Sequence, residues 1–242
     1  MVSPSLSVFF PCYNDARTIG RLVAQADGVA AQFTRDYELI VVDDGSRDGS
    51  RELLQDLSRR YPRLRLVLHD RNRGYGAALL SGFRSATKEW VFYTDGDGQY
   101  DVQELEALLK LAGHDVDVVY GYRTSRSDPR YRIAIGWLYQ RLVRKLFDIR
   151  IRDLSCDFRL IRRRALAAVE LHRSSGAICI ELVKNLQLAG FRSADCPVHH
   201  CRRPYGASQF FRARHLCATV LDILGLWREL RWEQKRRRHG SA

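Results

Sequence analysis

The sequence predicts an α/β protein with a doubly wound, mostly parallel sheet that is followed by C-terminal amphipathic helices. Short apolar runs alternate with segments of helical length over the first hundred residues. Carboxylates and glycines directly follow several of these runs, as they do where parallel strands end in ligand-binding loops. The chain has 242 residues, of which 45% are hydrophobic, enough for one such domain and an extension.

Four buried strands are predicted in the first hundred residues, because each apolar run is short and bounded by turn residues. These runs cover residues 5–10, 37–42, 64–68 and 90–93. Helices are expected between them, ending near residue 31, spanning 49–60 and ending near residue 86. Asn14 or Asp15 is the expected cap of the first helix. This β-α repeat favours parallel strands joined by crossover helices.

The second half of the chain predicts a less regular set of elements. The expected helices end near residue 111, span 133–147, begin near 163, span 178–188 and span 212–232. Strands are expected over 117–120 and 192–201. The helices at 133–147 and 212–232 combine an apolar stripe with basic residues, a pattern typical either of core packing or of membrane contact. We therefore divide the chain into a sheet domain at 1–210 and an amphipathic helix with a basic tail at 211–242.

The most informative loop is the stretch DGDGQY at 95–100, which follows the fourth predicted strand. Gly96 and Gly98 allow the backbone to turn sharply beside the two carboxylates. Hard divalent cations prefer carboxylate oxygens and complete their shell with water and substrate phosphates. The stretch therefore predicts that Asp95 and Asp97 bind a metal–diphosphate complex, against the alternative of a solvated Asp/Gly turn.

Composition and missing motifs exclude several classes of protein. Leu79 occupies the third glycine position after Gly74 and Gly76, so the dinucleotide fingerprint fails, and no P-loop motif is present. The formal net charge of +12 indicates an anionic partner. Nucleic acid is not the expected partner, because no recognised nucleic-acid motif occurs. No secretory signal and no apolar run of membrane-spanning length is recognised, which predicts a cytoplasmic or peripheral location.

Four motifs in order resemble those of family-two glycosyltransferases of GT-A fold. They are PCYND at 11–15, DDGS at 43–46, NRGYGA at 72–77 and DGDGQ at 95–99. Asp15 stands where the family usually has glutamate. Two later blocks resemble the dolichyl-/polyprenyl-phosphate mannosyl- or glucosyltransferase branch: DFRL at 157–160, and PV at 197–198 followed by R-x-x-G-x-S at 203–208. The resemblance covers about residues 5–210.

The resemblance implies a role for each matched position. Asp97, Arg159 and Arg203 are the expected catalytic residues, and Asp95 and Asp97 are the expected ligands of Mg²⁺ or Mn²⁺. The two arginines and Arg123 are expected to contact the donor diphosphate or the acceptor phosphate. The expected donor-binding residues are Pro11, Tyr13, Asp15, Asp43, Asp95, Gln99 and Arg123.

The resemblance also implies an activity, namely inverting, metal-dependent transfer of a hexose from GDP-mannose or UDP-glucose to a polyprenyl phosphate. The reaction would take place at the cytosolic face of a membrane, with the protein bound peripherally to that surface. A separate transmembrane subunit is a further partner to consider. A lipid phosphate is already ionised and needs no general base, whereas a hydroxyl does. The alternative is therefore a family-two enzyme that acts on a glycan hydroxyl with Glu181 as the base.

Overall fold

The computed structural model describes residues 4–113, 115–124, 130–205 and 213–239. These residues form a sheet of seven strands in the order β3-β2-β1-β4-β6-β5-β7. The strands are β1 (Leu6–Cys12), β2 (Tyr37–Asp43), β3 (Leu64–Leu68), β4 (Trp90–Thr94), β5 (Val118–Arg123), β6 (Phe158–Arg162) and β7 (Ser193–Val198). β6 is antiparallel to both of its neighbours and the remaining pairs are parallel, which confirms the mostly parallel sheet.

Helices connect most of the strands and cover both faces of the sheet. They are α1 (Ile19–Phe33), α2 (Ser50–Arg60), α3 (Tyr75–Ser85), α4 (Leu105–Leu111), α5 (Arg130–Phe147), α6 (Arg163–Ala167), α7 (Ile178–Leu188) and α8 (Ala213–His239). No helix in the described parts of the chain combines the length and apolarity that a membrane crossing requires.

The predicted cap of the first helix is wrong. α1 begins at Ile19 after Thr18, and no side chain caps it. The side-chain oxygen of Asn14 accepts a hydrogen bond from the backbone N–H of Arg47, in the loop after β2, at 2.8 Å. That of Asp15 accepts from the backbone N–H of Tyr13 at 3.2 Å. Asn14 also has a φ of +58°, a left-handed conformation in which asparagine is tolerated better than most residues. These residues shape the loop after β1 instead of starting the helix.

The strand β6 is an element that the sequence analysis missed. Its sequence FRLIR carries arginine at its second and fifth positions, which hides the apolar pattern of a buried strand. It lies inside the sheet between β4 and β5, and its first four residues are buried. This position explains why Arg159 lies in the interior.

The core has one layer on each side of the sheet. Leu6, Val8 and Phe10 of β1 pack with residues of α1, α2 and α4, whereas Phe9 belongs to the layer that contains residues of α3, α5, α7 and α8. The seven residues of β1 are buried, as expected for a strand covered on both faces. Burial of each large apolar side chain contributes about 1.5–3 kcal/mol, so β1 anchors both layers.

Gly82 sets the distance between α3 and the centre of the sheet. A Cβ at this position would lie 2.3 Å from the ring of Phe9, so a larger residue would push the helix away from β1. Close packing of α3 matters for the site, because this helix begins with Tyr75 at the carboxyl edge of the sheet.

Candidate active site

The loops after β1, β2 and β4 meet at the carboxyl edge of the sheet and are joined by hydrogen bonds. The backbone N–H groups of Asn14 and Asp15 donate to the hydroxyls of Ser46 at 2.9 Å and Ser50 at 3.1 Å. The Thr18 hydroxyl donates to the carbonyl of Gly96 at 2.7 Å. Three stretches that the sequence analysis singled out are thus held in one place by their own polar atoms.

Two aspartates of the 95–100 stretch are the centre of an acidic cluster. Asp95 Oδ1 accepts a hydrogen bond from the Tyr75 hydroxyl at 2.8 Å. Burial raises the pKa of Asp95 well above its usual range, and the charges of Asp157 and Asp97 raise it further. Asp97 is 7% exposed, and its Oδ1 accepts the backbone N–H of Gln99 at 3.0 Å.

Asp15 extends the cluster on the side of β1. Burial raises the pKa of its carboxyl to about 6, and the negative charges of Asp97 and Asp48 act in the same direction. A hydrogen bond from the backbone N–H of Tyr13 opposes this effect only in part. Asp15 therefore adds to the local excess of negative charge around Asp97.

The segment 199–205 supplies positive charge to the cluster. Arg203 contacts Asp97 Oδ2 through Nη2 at 2.6 Å and through Nε at 3.2 Å. Gln99 fixes this segment, because its carbonyl accepts from the backbone N–H of Cys201 at 2.8 Å and its Nε2 donates to the Cys201 carbonyl at 3.0 Å. The segment is therefore held against the 95–100 stretch, with one guanidinium on one carboxylate.

The acidic cluster fits a divalent cation. Asp15, Asp95, Asp97 and Asp157 lie close enough to raise the pKa values of Asp15 or Asp95, and Arg203 only partly offsets their charge. Within the described residues, no three His, Cys, Asp or Glu side chains are arranged to share one metal ion. An ion on Asp95 and Asp97 would thus take further oxygens from phosphates and water, as Mg²⁺ commonly does.

Arg159 lies in the interior of the sheet and makes its hydrogen bonds within the protein. Its side chain is 0% exposed and donates to the carbonyls of Leu154 at 2.7 Å and Cys156 at 3.1 Å. Its Nη2 lies 3.3 Å from Asp157 Oδ1. The guanidinium is therefore linked to the acidic cluster by its contact with Asp157 and is shielded from solvent.

Arg123 is likewise occupied by a partner of its own. It forms a bidentate pair with Asp153, with Nε–Oδ2 and Nη2–Oδ1 distances of 2.7 and 2.9 Å, and its side chain is only 10% exposed. Of the three arginines named from the sequence, Arg203 contacts a carboxylate of the 95–100 stretch, that of Asp97.

On the predicted nucleotide side, Asp43 is fixed by its neighbours. Its carboxylate accepts from Arg51 Nε at 2.8 Å and from the backbone N–H of Ser46 at 3.1 Å, and its side chain is fully buried. Pro11 is buried at the end of β1, whereas Tyr13 is half-buried in the loop that follows. A donor at this edge would therefore meet Tyr13 more readily than the carboxylate of Asp43.

Sequence reasoning missed the residues that position Tyr75, the hydrogen-bond donor to Asp95. Asp44 accepts the backbone N–H groups of Arg73 at 2.8 Å and Gly74 at 2.9 Å, and thereby fixes the start of α3 and its Tyr75. His69 Nδ1 lies 2.6 Å from Asp44 Oδ1, the oxygen that also accepts the N–H of Arg73. These residues lie in or beside the DDGS and NRGYGA motifs, but the hydrogen bonds that join the two motifs are seen only in the folded structure.

Glu181, the alternative base, is bound to the backbone of a neighbouring loop. Its side chain is almost fully buried, and Oε2 accepts the N–H groups of His172 and Arg173, each at 3.0 Å. The same loop contacts α3, where the N–H of Gly76 donates to the Ser174 carbonyl at 2.9 Å. Glu181 therefore holds the loop that packs on the helix carrying Tyr75.

The fold and the acidic loops at its carboxyl edge define a glycosyltransferase of the GT-A class. The chain belongs to the family described as glycosyl transferase family 2, whose model matches residues 7–169. Similar folds occur in mannosyl-3-phosphoglycerate synthase from Rubrobacter xylanophilus, with a TM-score of 0.66, 16% identity and coverage of 96% of this chain and 75% of that one. A Pyrobaculum calidifontis mannosyltransferase in complex with GDP-Man and Mn²⁺ has a TM-score of 0.63 at 21% identity, covering 92% and 66% of the two chains.

A curated relative is closer in sequence. The undecaprenyl-phosphate 4-deoxy-4-formamido-L-arabinose transferase of Aeromonas hydrophila is 29% identical over 220 residues, which cover 90% of this chain. The match spans 66% of the relative's length, so the relative is longer than the region that the two proteins share.

Proposed function

We propose that this glycosyltransferase transfers a hexose, with inversion, from a nucleotide sugar such as GDP-mannose or UDP-glucose to a polyprenyl phosphate. The observation that carries the proposal is the buried acidic cluster of Asp95 and Asp97 with Arg203 held on it. The undecaprenyl-phosphate specificity in the name of the Aeromonas relative supports the class of acceptor.

In this proposal, the loops at the carboxyl edge hold the donor. Pro11, Tyr13, Asp15 and Asp43 line the nucleotide, and Asp95 and Asp97 hold Mg²⁺ or Mn²⁺ against the diphosphate. Lewis-acid stabilisation of the leaving diphosphate is the chemistry that such an ion supplies when bound. The complexes of two similar folds with Mn²⁺ support this choice of cofactor.

The arginines have different tasks in this proposal. Arg203 is half-buried at the cluster and can grip a phosphate in the bidentate geometry that guanidinium groups favour. Arg159 orients Asp157 beside Asp95 from within the sheet, and Arg123 fixes the loop around Asp153. A phosphate acceptor attacks as an anion, so the reaction requires no carboxylate base.

Tyr75→Phe tests whether the hydroxyl on Asp95 tunes the metal site. The hydrogen bond at 2.8 Å favours the ionised carboxylate, so its loss is expected to weaken Mn²⁺ binding by about tenfold. Electron paramagnetic resonance of free Mn²⁺ measures this affinity without any turnover. Tyr37→Phe is the matched control, because it removes a Tyr–Asp hydrogen bond of 2.7 Å to Asp27. Equal Mn²⁺ affinity in both variants would contradict the proposed role of Tyr75.

The membrane surface is the second partner in this proposal. α5 exposes large apolar side chains, and α8 does the same on a helix that also carries basic residues; they are Ile135, Trp137, Leu138, Leu142, Val220, Leu221 and Trp232. Apolar side chains beside Arg141, Arg144 and Lys145 suit the anionic cytosolic leaflet. The proposed division into a transferase domain at 1–210 and a membrane-contacting extension at 211–242 follows this arrangement. A separate transmembrane subunit is the alternative anchor, and nucleic acid is not a proposed partner.

Transfer from labelled nucleotide sugars to undecaprenyl phosphate tests the function. We expect a lipid-linked product with one donor, formed with Mg²⁺ or Mn²⁺ and lost on chelation. Glu181→Gln is expected to keep most of this activity, because the amide oxygen can still accept the two backbone N–H groups.

The hydroxyl-acceptor alternative predicts the opposite pair of results. Labelling of a soluble glycan, with no lipid-linked product, would show that the acceptor is a glycan hydroxyl and not a polyprenyl phosphate. A loss of about a hundredfold or more in a folded Glu181→Gln protein would identify a general base.

A further inference from the structure

A cavity of about 340 Å³ lies where the end of α5 meets α7 and α8. Its lining includes none of the carboxylates of the acidic cluster. The wall is apolar at Leu146, Phe147 and Leu230, and cationic at Lys184 and Arg231.

Lys184 is buried in this wall with few partners. Its residue is 4% exposed, and the hydrogen bond that the described residues give its ammonium is a long one, 3.5 Å to the carbonyl of Asp148. Desolvation lowers the pKa of this lysine. A buried ammonium has three donors to satisfy and is costly when they are not satisfied. The position therefore favours a ligand with acceptor oxygens.

Trp227 also lines this cavity. Its Nε1 is buried, and none of the described residues accepts a hydrogen bond from it. The guanidinium of Arg231 lies over the ring of Trp227, 4.5 Å from its centroid. Lys184, Arg231 and Trp227 thus line one space, and the two cations suit a phosphate group.

The charge balance around the cavity agrees with an anionic ligand. Asp148 is the acidic residue of the lining, and its carboxylate is 78% exposed and lies 4.0 Å from Arg150. Lys184 and Arg231 therefore leave the lining with net positive charge. The surface next to the cavity is apolar, since Leu142 and Leu146 of α5 and Leu224 of α8 are between 42% and 59% exposed.

We propose that this cavity binds the phosphate of an anionic membrane phospholipid, with its glycerol and first acyl carbons against Leu146, Phe147 and Leu230. The inference rests on the membrane location in the proposed function but concerns a different part of the surface. Bound in this way, a bilayer lipid anchors α5 and α8 while the acceptor lipid occupies the transfer site.

Vesicle sedimentation of the full chain tests this site. Vesicles of phosphatidylcholine alone are compared with vesicles that also contain phosphatidylglycerol, with neither donor nor acceptor present. Lys184→Met and Trp227→Phe are each expected to weaken binding to the anionic vesicles by about fivefold to tenfold and to leave binding to neutral vesicles unchanged. Lys110→Met removes the same charge from α4, which packs on the other face of the sheet, and is expected to change binding less than twofold.

Thermal unfolding separates a binding lysine from a structural one. Lys184→Met is expected to raise Tm by a few degrees, because it removes a poorly paired buried ammonium and keeps the side-chain length. A lower Tm with unchanged vesicle binding would overturn the proposal. Trp227→Phe keeps the ring and removes the N–H, so normal vesicle binding by this folded variant would also overturn it.

Thermal stabilisation by soluble phosphates shows whether the ligand is a lipid or a soluble compound. If inorganic phosphate or glycerol 3-phosphate stabilises the wild type but not Trp227→Phe, and vesicle binding is equal in both, the cavity takes a soluble phosphate and the lipid assignment is wrong. Transfer activity is measured in parallel on the same proteins. If both variants bind anionic vesicles as well as the wild type does and the wild type transfers sugar, this site alone is rejected. If the variants lose vesicle binding as expected but the wild type transfers no sugar, the proposed function alone is rejected.

Discussion

Replacing Asp95 and Asp97 together by asparagine is expected to lower the rate of sugar transfer by about a thousandfold or more. Loss of both carboxylates removes the proposed metal ligands, and with them the stabilisation of charge on the leaving diphosphate. The variant should remain folded. Ionisation of Asp95 opposes folding because burial and the nearby Asp157 raise its pKa, so stability falls as the pH rises above the ordinary range of an aspartate. A neutral asparagine avoids this cost, and Tm at neutral pH should be unchanged or higher.

Steady-state transfer, Mn²⁺ affinity and Tm check this prediction together. Asp101→Asn is the matched control, since Asp101 is an exposed carboxylate in the same loop that accepts the backbone N–H of Gln103 at 3.0 Å. The control should transfer sugar at close to the normal rate. Normal turnover by the double variant would remove the basis of the proposed mechanism, whatever its metal affinity.

Arg159→Leu is expected to lower the free energy of unfolding by about 3–5 kcal/mol, because it leaves the partly buried Asp157 carboxylate and two carbonyls without their cation. The guanidinium is fully buried, so the loss cannot be regained from water. Urea denaturation measures the change. Asp157→Asn serves as the partner variant in a double-mutant cycle, and a coupling of at least about 1 kcal/mol is expected between the two positions.

Activity measurements on the same variants decide between a structural role and a substrate-binding role of Arg159. A structural role predicts that activity falls in proportion to the fraction of folded protein. Normal stability together with a selective loss of affinity for the acceptor phosphate would show instead that Arg159 reaches the substrate, as the family motif first suggested.

The first half of the fold was predictable because its signals are local. Each of the strands β1 to β4 is a short apolar run, and the acidic loop at Asp95 and Asp97 directly follows one of them. The sequence also places Arg203 in a recognisable motif, but the contact with Asp97 spans 106 positions and depends on the folded segment 199–205. Residue type alone could not show that contact.

Burial is the property that sequence reasoning failed to obtain for the arginines. Arg159 lies in β6, where Tyr93 of β4 and Tyr120 of β5 are its register partners on either side. A single sequence does not reveal that an arginine-bearing stretch is an internal strand, since arginine is seldom fully buried. Tyr75 was missed for a different reason, because its hydrogen bond to Asp95 joins the start of α3 to the loop that follows β4.

The reversed direction of β6 has a consequence for how the cluster is built. Thr94, the last residue of β4, is paired with Phe158, the first residue of β6. Asp95 leaves one strand where Asp157 enters the next, so two side chains 62 positions apart in the chain become electrostatic neighbours. Had β6 run the other way, its opening residue would lie at the far end of the sheet. The spacing of negative charge at the carboxyl edge therefore depends on the register of β6 against β4, and a shift of that register by one residue would move Asp157 relative to Asp95.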